Sequence, residues 1–239
     1  MGHSTKAPPP VAFTPMELNA DFTRRAVVHA ATLDWVPSPM AGVDRRMLDR
    51  VGGEVARATT IVRYAPQSHF SPHTHGGGEE FLVLEGVFQD EHGDYPAGFY
   101  IRNPPTSAHT PGSDAGCTIF VKLWQFNPAD RESVRLDTSK LPYDANPRRP
   151  GVQVAKLFER ADEAVTLEQW SAGADVLLSS LAGLELLVIE GDFTDGEERF
   201  SYQSWLRLPP GAQARVRAGE KGCRVWLKTG HLQRPLRAR

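Results

Sequence analysis

The sequence predicts an all-β fold built as two tandem barrels. Short β-branched or aromatic runs, each closed by Gly, Pro, Asp or Asn, recur along the chain. Sequence similarity returns after 105 residues, and a set of three histidines and one carboxylate occupies the first half alone.

The strand runs lie at 59–64, 81–84, 118–124, 176–178 and 225–228. Their number and spacing suit a barrel or sandwich rather than a layered α/β fold. Helix signals are few. One is the first turn near Thr14 to Glu17, with Pro15 at its start, and the other is the stretch 161–169, which could instead enter a strand. Residues 1–12, with Pro8-Pro9-Pro10, are expected to be disordered.

Shifting the chain by 105 places Glu80 on Glu185, Gly86 on Gly191, Phe88 on Phe193, Asp90 on Asp195 and Pro104-Pro105 on Pro209-Pro210. The register holds without a gap, so each half should form one barrel. The expected division is an N-terminal arm over 1–19, a metal-binding barrel over 20–135, a linker over 136–149 and a degenerate barrel over 150–239. Pro142, Pro147 and Pro150 mark the polar connection.

His73, His75, Glu79 and His109 are the candidate metal ligands. His73 and His75 are two apart, so a strand would present both on one face. Gly76-Gly77-Gly78 lets the backbone reverse and return Glu79 to that face, and His109 arrives after the turn-forming Asn103-Pro104-Pro105. Imidazoles with one carboxylate suit a transition metal, whereas an all-oxygen cage would suit Mg or Ca. The repeat supplies an internal control, because the counterparts are Leu178, Ser180, Leu184 and Ala214. A barrel evidently folds without those histidines. The expected cofactor is one divalent transition metal (Fe, Zn, Mn or Ni), in the first barrel only.

These residues carry a family resemblance. The first cupin motif, G-x5-H-x-H-x3-E-x6-G, is matched by His73, His75, Glu79 and Gly86, with Gln67 in place of the leading glycine. The second, G-x5-P-x-G-x2-H-x3-N, is matched by Gly98, Pro104 and His109, with Thr106 and Ser113 departing from it. From about residue 30 to 127, including His-Thr-His-Gly-Gly-Gly-Glu-Glu-Phe and Arg-Asn-Pro-Pro, the chain resembles the ChrR-type cupin family. That resemblance implies two tandem cupin (jelly-roll) barrels and a His3-Glu mononuclear site. It also implies either a non-haem metal-dependent dioxygenase acting on a small diketone or hydroxyketone, or a zinc-binding regulatory cupin of the oxidative or singlet-oxygen response. The sigma-binding function of the ChrR anti-sigma factors belongs to a helical module with an H-x3-C-x2-C motif, which this sequence lacks.

Composition sets the remaining bounds. Apolar residues make up 40% and charged residues 23%, ordinary for a globular chain with a substantial core. A net charge of -2 with scattered basic residues gives no footprint for nucleic acid, and the arginines at 234, 237 and 239 read as a solvated tail. No apolar run approaches the ~20 residues of a membrane span and no signal peptide is evident, so a cytoplasmic setting is expected. Cys117 and Cys223 each open an apolar run and read as small buried residues. No nucleophile elbow or phosphate loop occurs, so any catalytic residue beyond the metal ligands is unknown from sequence. His69 shares strand parity with the ligands and could face the same cavity, while His92 falls in a solvated turn. Glu80 reads as structural, because its counterpart Glu185 persists where the ligands do not. The expected partners are a small-molecule substrate and a second copy of the chain, with no nucleic acid and no membrane.

Overall fold

A computed structural model describes residues 16–53 and 55–233; the proposed disordered arm and the arginine tail lie outside them. Among the described residues, regular structure consists of strands and three single-turn 3-10 segments. Of the two helix candidates, Thr14 and Pro15 lie outside the described residues, and the described parts of both are strands. Met16–Leu18 is a strand hydrogen-bonded along Val43–Gly52. Glu163–Trp170 is a central strand, for Val165 and Leu167 are buried while the intervening Ala164 and Thr166 are only partly so, a period of two.

Two large antiparallel sheets repeat one order of strands. The first runs Met16–Leu18, Val43–Gly52, Ala56–Tyr64, Cys117–Leu123, Glu79–Asp90, Phe99–Asn103, Val134–Asp137. The second runs Asp144–Ala145, Val152–Arg160, Glu163–Trp170, Gln213–Thr229, Leu184–Asp195, Ser204–Leu208, Ala26–His29. The edges are exchanged. Ala26–His29 lies in the first half of the sequence yet pairs with Ser204–Leu208 of the second, while Val134–Asp137, 108 residues later, pairs with Phe99–Asn103 of the first. A 3-10 turn follows each of these strands, Ala30–Thr32 and Thr138–Lys140, again 108 apart. One early strand of each repeat therefore completes the other repeat's sheet. The division by sequence at 20–135 and 150–239 cuts across hydrogen-bonded strand pairs, and the 136–149 stretch begins in the strand Val134–Asp137 and contains a second, Asp144–Ala145.

The two halves share a core. Leu48, Ile61, Leu82 and Phe120 from the first pack with Phe158, Val165, Leu187 and Trp226 from the second, and the rings of Phe120 and Trp226 meet edge to face at 5.0 Å. Among these apolar groups lies a set of buried charges that cross between repeats. Lys122 bonds Glu185 and Lys228 bonds Glu80, so two equivalent Glu-Lys pairs are exchanged reciprocally. Arg102 reaches Glu163, and Arg207 meets Asp49 at 3.1 Å. Removing one partner of such a pair would strand a buried charge at a cost of about 3–5 kcal/mol. Glu80 and Glu185 persist through the repeat because each answers a lysine of the opposite half.

Candidate metal centre

The four proposed ligands converge. His73–Thr74 pairs antiparallel with Ala108–His109, so His73 stands directly opposite His109. His75 continues the ladder, donating its N–H to the Ser107 carbonyl at 2.8 Å, and Glu79 opens the long strand Glu79–Asp90. One donor atom from each of His73, His75, Glu79 and His109 lies within 4.8 Å of the others. The three imidazole rings sit edge to face in pairs, with centroids 4.7 to 5.0 Å apart.

The electrostatics suit a cation. Nε2 of His75 and of His109 are buried without hydrogen-bond partners, and they lie 3.3 and 3.5 Å from Oε2 of Glu79. Unpartnered buried nitrogens are costly unless something accepts their lone pairs. Burial pushes the Glu79 carboxyl up, but His75, His109 and Asn103 together hold it below the usual carboxylate range. Burial, with the neighbouring His109 and His75, lowers His73 against the pull of Glu79. An ionised carboxylate and a neutral imidazole are the forms that ligate metal. The cluster can therefore hold a metal ion.

Three residues that the sequence did not single out orient the ligands. Ser107 Oγ meets Nδ1 of His75 at 3.0 Å, Asp90 Oδ2 approaches Nδ1 of His109 at 3.4 Å, and Asn103 donates to Glu79 at 3.1 Å. Each histidine so held turns Nε2 inward, and such partners fix ring orientation and donor strength. Asp90 is anchored in turn by the Tyr95 hydroxyl at 3.1 Å, and Arg135 donates to Tyr95 at 3.0 Å. Asp90 was visible in the sequence only as a position shared with Asp195. Asn103 was visible only as part of a turn, and Ser107 gave no signal.

The glycine run has a second cause besides reversal. The Trp124 indole lies flat on it, and a Cβ at Gly77 would fall 2.3 Å from Trp124 Cε3. Gly78, with φ of 79°, supplies the left-handed step before Glu79. At the two places where the motif's glycines are replaced, the backbone keeps the left-handed conformation: Gln67 has φ of 61° and Thr106 has φ of 76°.

Other residues fall elsewhere. His69 is exposed beside Asp114 rather than in the cluster, and His92 is exposed in its turn. Lys122 points to the shared core, whereas Tyr64 and Phe81 pack near Phe88, which itself lies 5.8 Å from the His109 ring. Both cysteines are free and buried. Burial pushes Cys117 up to about 11 and Cys223 up to about 12. In the second half Leu178 faces Ala214 in the register in which His73 faces His109.

Comparison with known proteins agrees with this architecture. No curated protein sequence matches the chain. Among solved structures, a candidate dioxygenase from Nostoc punctiforme superposes with a TM-score of 0.72 at 13% identity, over 89% of this chain and 85% of that one. HEPD from Streptomyces albus, with 2-hydroxyethylphosphonate and Fe(II) bound, gives 0.63 at 8% identity over 92% and 79%. The Escherichia coli pirin YhhW in complex with nickel(II) gives 0.59 at 12% identity over 86% and 98%. At these identities the likeness is one of fold. None of the described helices is long and apolar enough to cross a membrane. Residues 23–127 match the family model of the ChrR cupin-like domain, and that segment carries all four residues gathered at the site.

Proposed function

We propose that His73, His75, Glu79 and His109 bind one divalent transition metal, in the first barrel only, and that the protein is a metal-dependent dioxygenase acting on a small diketone or hydroxyketone. The observation that carries the reading is the asymmetry of the cluster. His75 and His109 are buried and Glu79 nearly so, but His73 is exposed, and a cavity of about 760 Å³ reaches it along residues 65–72. A donor set open on one side admits a second molecule. Bound there, Fe(II) would supply oxygen activation and positions for a chelating substrate; a tetrahedral zinc with four protein ligands would have no open position.

The chain's own residues have definable tasks. Ser107, Asp90 and Asn103 hold the ligand atoms in place, so the donor set is organised before any ion arrives. Phe88, packed against Phe81 and Tyr64, backs the His109 ring with apolar surface. Burial and the Glu79 charge raise Tyr64, which stays a neutral phenol. The similarity to a candidate dioxygenase and to an Fe(II)-bound enzyme supports the reading without naming a substrate.

The test is anaerobic reconstitution with Fe(II), exposure to a panel of β-diketones and hydroxyketones, and measurement of oxygen uptake beside a His109→Ala control. Uptake that needs His109 supports the proposal. Protein that isolates with zinc, refuses iron and consumes no oxygen would favour the zinc-binding regulatory reading instead.

A further inference from the structure

The second barrel keeps a cavity at the place where the first barrel gathers its ligands. Leu178 and Leu184, the counterparts of His73 and Glu79, line a space of about 520 Å³. Val154 and Leu227 extend the same apolar wall. A volume of this order is that of a small-ligand site. The loss of the metal ligands has therefore changed the chemistry of the cavity without closing it.

Its rim is polar and carries charge. Glu168 is buried on an inner strand, where it accepts from Trp170 Nε1 at 2.8 Å and from both terminal nitrogens of Arg149, one at 2.9 Å. Arg149 comes from the turn between the two repeats, so its guanidinium and the Glu168 carboxylate neutralise each other at the mouth. The adjacent Arg148 lines the same mouth, is exposed, and has no side-chain partner among the described residues. Its backbone N–H donates to Oδ1 of Asn146 at 3.0 Å, which holds the turn that presents both arginines. With the only acidic group of the lining already engaged, the free charge at the rim is a single cation. Thr166 and Ser179 add hydroxyls to the same lining.

We propose that the interior of the second barrel binds a small carboxylate with an apolar body, the hydrocarbon lying against Leu178 and Leu184 and the carboxylate meeting Arg148. Position and lining both support this assignment: an apolar chamber with one unengaged cation at its lip discriminates by charge at one end and by hydrophobicity at the other.

Isothermal titration of the full-length, metal-free chain with octanoate and with 1-octanol tests it. Octanoate should bind with one equivalent per chain, at least about tenfold more tightly than the alcohol, as expected of one charge-assisted contact. Arg148→Ala should abolish that difference. Ser179→Trp, at an exposed position on the rim, should weaken both ligands about tenfold or more by blocking entry, with circular dichroism verifying the fold. His75→Ala, in the other barrel, should leave octanoate affinity unchanged. Binding that survives Ser179→Trp in a folded variant, or that disappears with His75→Ala, would place the ligand elsewhere and overturn the proposal. So would equal affinity for acid and alcohol, an Arg148→Ala variant that still prefers the acid, or no heat of binding up to about 10 mM, the weak limit of specific affinity.

Discussion

At the scale of single residues, the site tolerates strain where the cupin motif would have glycine. Thr106 is β-branched, exposed, and left-handed at φ of 76°, with its N–H donating to the His75 carbonyl at 2.9 Å. An L side chain in that conformation costs about 1–2 kcal/mol. Part of this is offset by the greater freedom glycine has when unfolded, so Thr106→Gly should stabilise the fold by about 0.5–1 kcal/mol. The expected signature in urea is a higher midpoint with an unchanged slope; a lower midpoint would show that the threonine side chain contributes more than its backbone costs. A second residue governs the acid limit. Burial, partly opposed by Glu185, lowers His231 to about 4 from an ordinary 6.5. Its Nε2 lies 3.3 Å from Glu185 Oε1, off the line of a hydrogen bond. Between those pH values the unfolded chain takes up a proton that the folded chain refuses, so stability falls as pH drops through that window. His231→Phe should flatten this part of the stability profile, measured by denaturant titration at pH 7, 6, 5 and 4, while the limb below pH 4 persists.

Single elements show why some glycines recur and others do not. Gly86 and Gly191 sit 105 apart with φ of 70° and 69°, and a Cβ at either would fall 2.0 or 2.1 Å from the carbonyl oxygen of Gly116 or Gly222. The neighbouring strand's backbone forbids a side chain there in both barrels. Gly76 and Gly77 answer a different neighbour, the Trp124 ring, and are Leu181 and Ala182 in the second half, whereas Gly78 recurs as Gly183, both with φ of 79°. Gly77→Ala should therefore displace the indole and loosen the turn leading into Glu79. Trp124 emission should shift to the red, and metal affinity should fall by about 10- to 100-fold, the usual effect of disturbing a ligand's support. Gly53→Ala is the control, since a Cβ there meets nothing within 4 Å. Unchanged emission and affinity in Gly77→Ala would mean that the ring is not what holds the turn.

For the whole molecule, strand exchange and crossed charges make the two barrels one folding unit. Ala26–His29 lies in the second sheet and Val134–Asp137 in the first. Lys122, Glu80, Lys228 and Glu185 form their pairs only when both halves are present. A chain nicked in the exposed turn between Asn146 and Gly151 should stay associated, with its fragments co-eluting in size-exclusion chromatography. Deletion of residues 150–239 should leave the first barrel insoluble or differently assembled, because Phe120, Leu82 and four buried charges would lose their cover. A truncated chain that remains soluble, monomeric and equally stable would contradict this account.

The sequence by itself determined the class of fold, the repeat and the candidate donor set, because each is written in local chemistry. Strand runs have a period of two, turns need glycine or proline, and a metal site needs particular side chains at a fixed spacing. His73, His75, Glu79 and His109 were legible for that reason, as was the loss of all four in the second half. Tertiary structure alone decided which strand completes which sheet, since Ala26–His29 and Val134–Asp137 have similar local patterns and only partner geometry separates the two pairings. It also decided that Glu163–Trp170 is a strand, that Trp124 requires Gly76 and Gly77, and that Asp90, Asn103 and Ser107 steady the candidate ligands. Those contacts join residues distant in sequence through single hydrogen bonds or ring faces, and no short-range pattern encodes them. Glu80 stands between the two cases: repetition marked it as structural, while only the folded chain revealed that its partner is Lys228 of the opposite barrel.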